Sequence, residues 1–310
     1  MTKHWSQVQE SGAILGLRFM FFIHRWVGWW VLWLISYPVI TYFFLAKQDA
    51  RLASRDYLNR VKIAGGIPTN ANLTSWSYKH FLQFSRNLLD RLAAWSGAFN
   101  YDNVTFHQRE DFLNLEAERT GALVIVSHLG NLEICRALLN QSNAIKLNIL
   151  VHSHEAEKFN RLMKEIDEDG HLNLIPVDEV TPTTAIQLRE KLDAGEIIAT
   201  SGDRTPIGGG RQSAATFIGD SALFPQGPYI LASVLRCPVY LMFCLRDRNG
   251  YQIFFESFAK KIRLSRTNRE ADLALWVQKF ADRLTHYALR FPLQWNNFYR
   301  YWDKSPAPPG

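Results

Sequence analysis

The sequence predicts an α/β fold: a mainly parallel sheet flanked by helices, with an N-terminal membrane-anchoring helix in front of it. Three observations carry this reading. From about residue 104, short β-rich apolar runs alternate with stretches of helical period, as in a sheet built by crossover connections. The first of these runs, ALVIV at 122–126, has no polar residue and reads as a buried strand. Residues 26–46 hold 21 positions without a charge, close to the roughly 20 apolar residues that a helix needs to cross a bilayer core.

The elements follow in chain order. Arg18, His24 and Arg25 precede the uncharged run, and Lys47, Arg51, Arg55 and Arg60 follow it. Trp26, Trp29, Trp30 and Trp33 gather at one end, Tyr42, Phe43 and Phe44 at the other, as aromatic belts do at membrane interfaces. A soluble helix of this length would carry a polar stripe, and a secretory signal would be shorter and end in a small-x-small site. Pro38 lacks a backbone donor and is expected to kink the helix, so the segment either spans the bilayer or dips into one leaflet. Both flanks are basic, so charge leaves the orientation open. Residues 51–62 mix basic and apolar groups until Gly65-Gly66-Ile67-Pro68 breaks the pattern. Residues 74–96, with Trp76, Phe81, Phe84, Leu88, Leu89 and Leu92, have the period of an amphipathic helix lying on the main domain or on lipid.

In the main domain, strands are expected at 122–126, 147–151, 172–177, 197–201, 238–245 and 252–258, and helices at 131–139, 155–166, 183–192, 226–235 and 270–289. Gly227-Pro228 suits the start of the fourth helix, and Gly208-Gly209-Gly210-Arg211 reads as a mobile loop, since it lacks the Gly-Lys-Ser/Thr of a phosphate-binding loop. The chain divides into an anchor at 1–50, a helical connector at 51–103, an α/β domain at 104–304 and a disordered tail at 305–310.

Composition narrows the function classes. A hydrophobic share of 47% against 21% charged excludes a disordered chain. The net charge of +6 suits an acidic partner or an anionic membrane. Nucleic acid is not expected as a partner, because no recognition motif accompanies the basic balance and the N-terminus is hydrophobic. Cys135, Cys237 and Cys244 form neither a disulfide framework nor a Cys-x-x-Cys pair and read as reduced thiols. His152 and His154 alternate at a strand end without further ligands, so no metal site is expected.

Chemistry concentrates at two strand ends. Ser127-His128-Leu129-Gly130-Asn131-Leu132-Glu133 begins where ALVIV stops and a helix opens. Gly130 permits a tight turn, and a turn of this length can return the Glu133 carboxylate to the Nδ1–H of His128, leaving Nε2 as a general base. Asn131 reads as a helix cap or a substrate contact. Thr200-Ser201-Gly202-Asp203-Arg204 ends another buried strand, and in a parallel sheet its charged pair faces the same crevice. Arg204 is suited to a phosphate or a developing oxyanion. The basic run of Lys260, Lys261, Arg263, Arg266 and Arg269 reads as a solvated face or as a surface for anionic headgroups or an acidic carrier protein.

With these residues in place, the chain resembles the late lipid A acyltransferases, the lauroyl and myristoyl transferases of bacterial endotoxin assembly. The resemblance covers nearly the whole length. It rests on the N-terminal hydrophobic segment, His128-x4-Glu133, Gly202-Asp203-Arg204, the stretch Phe217-Ile218-Gly219 to Pro225-Gln226-Gly227-Pro228, and the closing Pro292, Trp295, Phe298-Tyr299 and Trp302. It implies a glycerolipid-acyltransferase-like fold and an acyl thioester donor, usually acyl carrier protein. It also implies a hydroxyl acceptor on a membrane lipid or glycolipid, and a place on the cytoplasmic face of the inner membrane. No cofactor and no covalent acyl-enzyme are implied. His128 would deprotonate the acceptor, Glu133 would orient His128, and Asp203, Arg204, Asn131 and Asn160 would bind substrate. The closing FPLQWNNFYRYWD departs from the Tyr-Gln-Trp ending typical of endotoxin enzymes and is similar to members found with aryl polyene or related glycolipid clusters. Two other readings stay open: a lysophospholipid or glycerolipid acyltransferase, and a non-catalytic membrane scaffold on the same fold.

Overall fold

The computed structural model describes residues 29–95, 97–142, 145–151, 172–176, 181–204 and 210–302. Asn160, His152, His154, the helix expected at 155–166, the loop residues 205–209 and the tail at 305–310 lie outside them.

Three helices come first: α1 (Trp29–Ala46), α2 (Gln48–Ile63) and α3 (Leu73–Trp95). The main domain then runs β1 (Val104–His107), α4 (Arg109–Ala117), β2 (Ala122–Gly130), α5 (Leu132–Ser142), β3 (Leu147–Val151), β4 (Leu172–Pro176), α6 (Pro182–Asp193) and β5 (Ile197–Ser201). It continues through β6 (Gln212–Phe217), β7 (Asp220–Pro225), α7 (Gly227–Leu235), β8 (Val239–Asp247), β9 (Gly250–Ala259) and α8 (Arg269–Arg290). Seven strands form one sheet in the order β1-β9-β8-β2-β5-β3-β4, and β6 and β7 make a separate hairpin. Every neighbouring pair in the large sheet is parallel except β8 with β9. The expected mainly parallel sheet flanked by helices is therefore the fold.

Alternation along β2 builds both sides of the core. Leu123 and Ile125 join Tyr57, Leu58 and Val61 of α2, Leu188 and Leu192 of α6, and Phe280 and Leu284 of α8. Val124 and Val126 join Phe112 and Leu115 of α4 and Ile134, Cys135 and Leu138 of α5. A run without polar residues fits this strand because both faces are covered.

Helix α1 packs on the rest of the protein along one side, where Thr41 also bonds the Tyr78 hydroxyl and Trp33 lies under Arg86. Leu32, Ser36, Ile40 and Phe44 recur every fourth residue and are buried, with Phe44 packed edge-on against Tyr78 and Phe81 of α3. Leu34, Ile35, Tyr37, Val39, Tyr42, Phe43 and Leu45 stay exposed. The helix passes through Pro38 unbroken, and the sharp turn lies at Lys47 instead, where α1 and α2 meet at 92°. Arg51 closes that turn by donating to the carbonyls of Phe44 and Leu45. Among the described residues no single helix is long and apolar enough to cross a membrane; the bent α1–α2 pair passes that test jointly.

Candidate active site

Sheet register creates the site. Strands β2 and β5 are parallel neighbours with Val126 opposite Ser201, and Gly202 N–H donates to the Val126 carbonyl at 2.8 Å. Two residues beyond that pair, the strand ends present His128 and Asp203. His128 Nδ1 donates to Asp203 Oδ1 at 2.8 Å, and the His128 backbone N–H donates to Asp203 Oδ2 at 2.8 Å. Ser201 Oγ donates to Oδ1 at 3.0 Å and Trp295 Nε1 to Oδ2 at 3.1 Å. Asp203 is 1% exposed, whereas the His128 side chain is 32% exposed. A buried carboxylate thus fixes one ring nitrogen, and because it can only accept, Nδ1 carries the hydrogen and Nε2 keeps its lone pair.

Glu133 was the expected partner of Nδ1; Asp203 holds that position instead. Glu133 stands in the first turn of α5 and pairs with Arg136 at 3.2 Å, Nε to Oε2. The physical reason lies in β2, which runs on through His128 to Gly130 rather than stopping at Val126, so that its parallel register with β5 sets Asp203 against Nδ1. Asn131 is fully buried: its side-chain amide donates to the Asn87 carbonyl at 3.1 Å and its backbone N–H to the Cys244 carbonyl at 2.8 Å. These contacts tie the turn to α3 and β8. Arg204 donates to the Asn296 carbonyl at 2.9 Å.

The closing segment contributes what sequence reasoning did not assign. Gly130 N–H donates to the Gln294 carbonyl and Asn296 N–H to the His128 carbonyl, both at 2.9 Å, so 294–296 pairs with 128–130 as a short antiparallel bridge. The Gln294 side chain fastens the same segment to β8, accepting from Arg246 N–H at 2.8 Å and donating to the Arg246 carbonyl at 2.6 Å. Tyr301 donates to the Asp203 carbonyl at 3.1 Å. The aromatic density of FPLQWNNFYRYW was the available signal; its partners were not.

Electrostatics favour a neutral imidazole. Burial lowers the His128 pKa, and the cations of Arg204 and Arg91 lower it further, against the raising effect of Asp203. For Asp203, burial pushes the pKa up, but the charge and hydrogen bonds of His128, with Arg204, win and hold it below the usual carboxylate range. Among the described residues no cluster of three or more His, Cys, Asp or Glu side chains is placed to hold a metal ion.

A neutral imidazole at the carboxyl ends of parallel strands, with Nε2 unbonded among the described residues, has the chemistry to accept a proton. The class of the protein is given by the sequence as a whole. The pattern of the family described as bacterial lipid A biosynthesis acyltransferase matches residues 84–304, and the chain belongs to that family. It is an acyltransferase, with a lipid acceptor and an acyl donor. No curated protein matches the chain significantly.

Proposed function

We propose that this acyltransferase moves a fatty acyl group from an acyl carrier protein thioester to a hydroxyl of a membrane lipid or glycolipid, with His128 as general base. The acceptor oxygen attacks the thioester carbonyl while Nε2 takes its proton. The C–S bond then breaks, and the imidazolium returns the proton to the departing thiolate. Products are an ester and a free thiol, with no acyl-enzyme. Asp203 keeps Nδ1–H in place and stabilises the imidazolium, help of roughly 10²–10⁴-fold for a positioned base. The single observation that carries this reading is the 2.8 Å bond between buried Asp203 and the accessible His128. Arg204 serves the developing oxyanion or an acceptor phosphate, and Glu133 with Arg136 and Asn160 belong to the acceptor side.

The enzyme works at the cytoplasmic face of the inner membrane, held by the exposed apolar side of α1. Lys47 and Arg55, both exposed just past its end, suit anionic headgroups. The basic run leaves β9 at Lys260, next to Ala259, which pairs with Val239 at the start of β8, whereas Gly130 beside His128 pairs with Cys244 near its end. The run therefore begins at the far end of the sheet from His128. The cations that act on His128 are Arg204 and Arg91, and the donor's acidic carrier is assigned to their side of the sheet.

The test uses purified protein in detergent, labelled acyl carrier protein thioesters and a total lipid extract of the host, read by mass. One lipid gains an acyl mass, and His128→Ala abolishes the gain. Absence of transfer from every thioester would favour the scaffold reading.

A further inference from the structure

The closing segment does more than cover the site. Trp295 is 1% exposed and is enclosed by aromatic neighbours: Tyr57 at 5.0 Å, Phe217 at 5.1 Å and Tyr301 at 5.0 Å between ring centroids. Its indole N–H is the one polar group of the side chain, and it points at Asp203 Oδ2. Behind it stands His80 of α3, fully buried, stacked on Phe298 and bonded through Nε2 to the Trp295 carbonyl at 2.9 Å. A carbonyl only accepts, so His80 carries its hydrogen on Nε2 and receives one at Nδ1 from Ser54 Oγ at 2.9 Å. Ser54 in turn receives from Ser77 Oγ at 2.9 Å. Each donor in the series Ser77, Ser54, His80 finds an acceptor, and the series ends on Trp295.

We propose that Trp295 is a positioning residue of the transfer reaction: its indole N–H fixes the Asp203 carboxylate that holds His128, and buried His80 fixes Trp295. The inference rests on the acyl-transfer reading above. A carboxylate taking donors from Ser201, Trp295 and His128 has both oxygens directed, and Oδ1 stays in line with Nδ1. Without the indole N–H, Oδ2 keeps a single donor and the carboxylate is free to rock about it. The lost donor also makes the carboxylate a stronger base, which holds a proton on His128 more firmly. The other charged or titratable groups near the pair are Arg204 after β5, Arg91 on α3, Tyr229 on α7, and Tyr299 and Tyr301 in the closing segment. On α5, Glu133 and Arg136 face each other.

The experiment is Trp295→Phe, which keeps the aromatic bulk and removes the N–H. The expected result is a fall of roughly tenfold in kcat with KM for acceptor and donor unchanged, since misplacement away from the reacting atoms acts on the rate. The acid limb of the pH–rate profile moves to higher pH. Histidine nitrogen NMR of the detergent-solubilised protein reads the same upward move of His128 without any substrate. His80→Leu lowers kcat in the same way, and His80→Gln, whose amide can donate to the Trp295 carbonyl, restores it. If Trp295→Phe does not fold, the His80 pair carries the test. A wild-type rate in Trp295→Phe, or an acid limb that stays put or moves to lower pH, overturns the proposal. If wild-type protein transfers no acyl group and the NMR move still occurs, the reaction reading falls and the positioning claim stands.

Discussion

Four hydrogen bonds converge on one carboxylate, and their donors come from three separate stretches of chain: Ser201, His128 twice and Trp295. The sequence made His128, Asp203 and Arg204 visible, each at a strand end, but paired His128 with the carboxylate five positions away. Its actual partner is 75 residues distant. Only the order and register of β2 and β5 bring the two together, and neither can be read from residue types. Gly130 shows the opposite case. Its φ is +88°, and a Cβ there would lie 1.9 Å from the Cys244 carbonyl oxygen, so the turn it was expected to permit does need glycine. Gly130→Ala should lower stability by at least ~2 kcal/mol and abolish transfer, measurable by urea unfolding and by assay. Glu133→Gln should weaken use of the acceptor while leaving the acid limb of the pH–rate profile in place, because Glu133 is paired with Arg136 while Asp203 occupies Nδ1. A shifted limb in that variant would return Glu133 to the imidazole.

At the scale of elements, strands and helices with strong periodicity were legible: β3 and β5 lie where the apolar runs predicted them, and α6, α7 and α8 differ from expectation by a residue at the ends. The β6–β7 hairpin and β1 were not legible. Their burial depends on what covers them, as with Phe217, buried against Phe224, Trp295 and Trp302. Helix α2 was legible only as part of the helical connector, without bounds of its own, because its buried stripe of Ala53, Ser54, Tyr57, Leu58 and Val61 includes a serine and lies among charged residues. Helix α1 was read as apolar all round; in the fold one side packs on α3 and the opposite side is offered outward. Replacing Leu34, Tyr42 and Leu45 together by glutamate should reduce binding to anionic vesicles by roughly tenfold or more, measured by flotation. Unchanged flotation would contradict the membrane role proposed for α1.

Across the whole molecule, the N-terminal helices and the catalytic end are joined through buried polar groups. His80 is the most telling of them. Burial lowers its pKa to about 4, against the raising effect of the Trp295 carbonyl. An unfolded chain would protonate it near the ordinary value of about 6.5. Between those values the unfolded state binds the extra proton, so stability falls as pH falls through that window, by on the order of 2 kcal/mol at pH 5 for this group. Urea unfolding in detergent at pH 7 and pH 5 checks it, and His80→Gln should remove this group's share of the dependence while His128 keeps its own in the same direction.

The pH profile of kcat/KM for the wild type and Asp203→Asn tests the central claim most directly, that His128 is a base held by Asp203. Wild-type enzyme should lose activity in acid with an apparent pKa below about 6.5, since the base must be neutral and burial depresses its pKa. Asp203→Asn should retain the fold, lose roughly 10²–10⁴-fold in rate, and move the limb of its residual activity to still lower pH. A full rate in Asp203→Asn, with the limb where the wild type has it, would contradict the account.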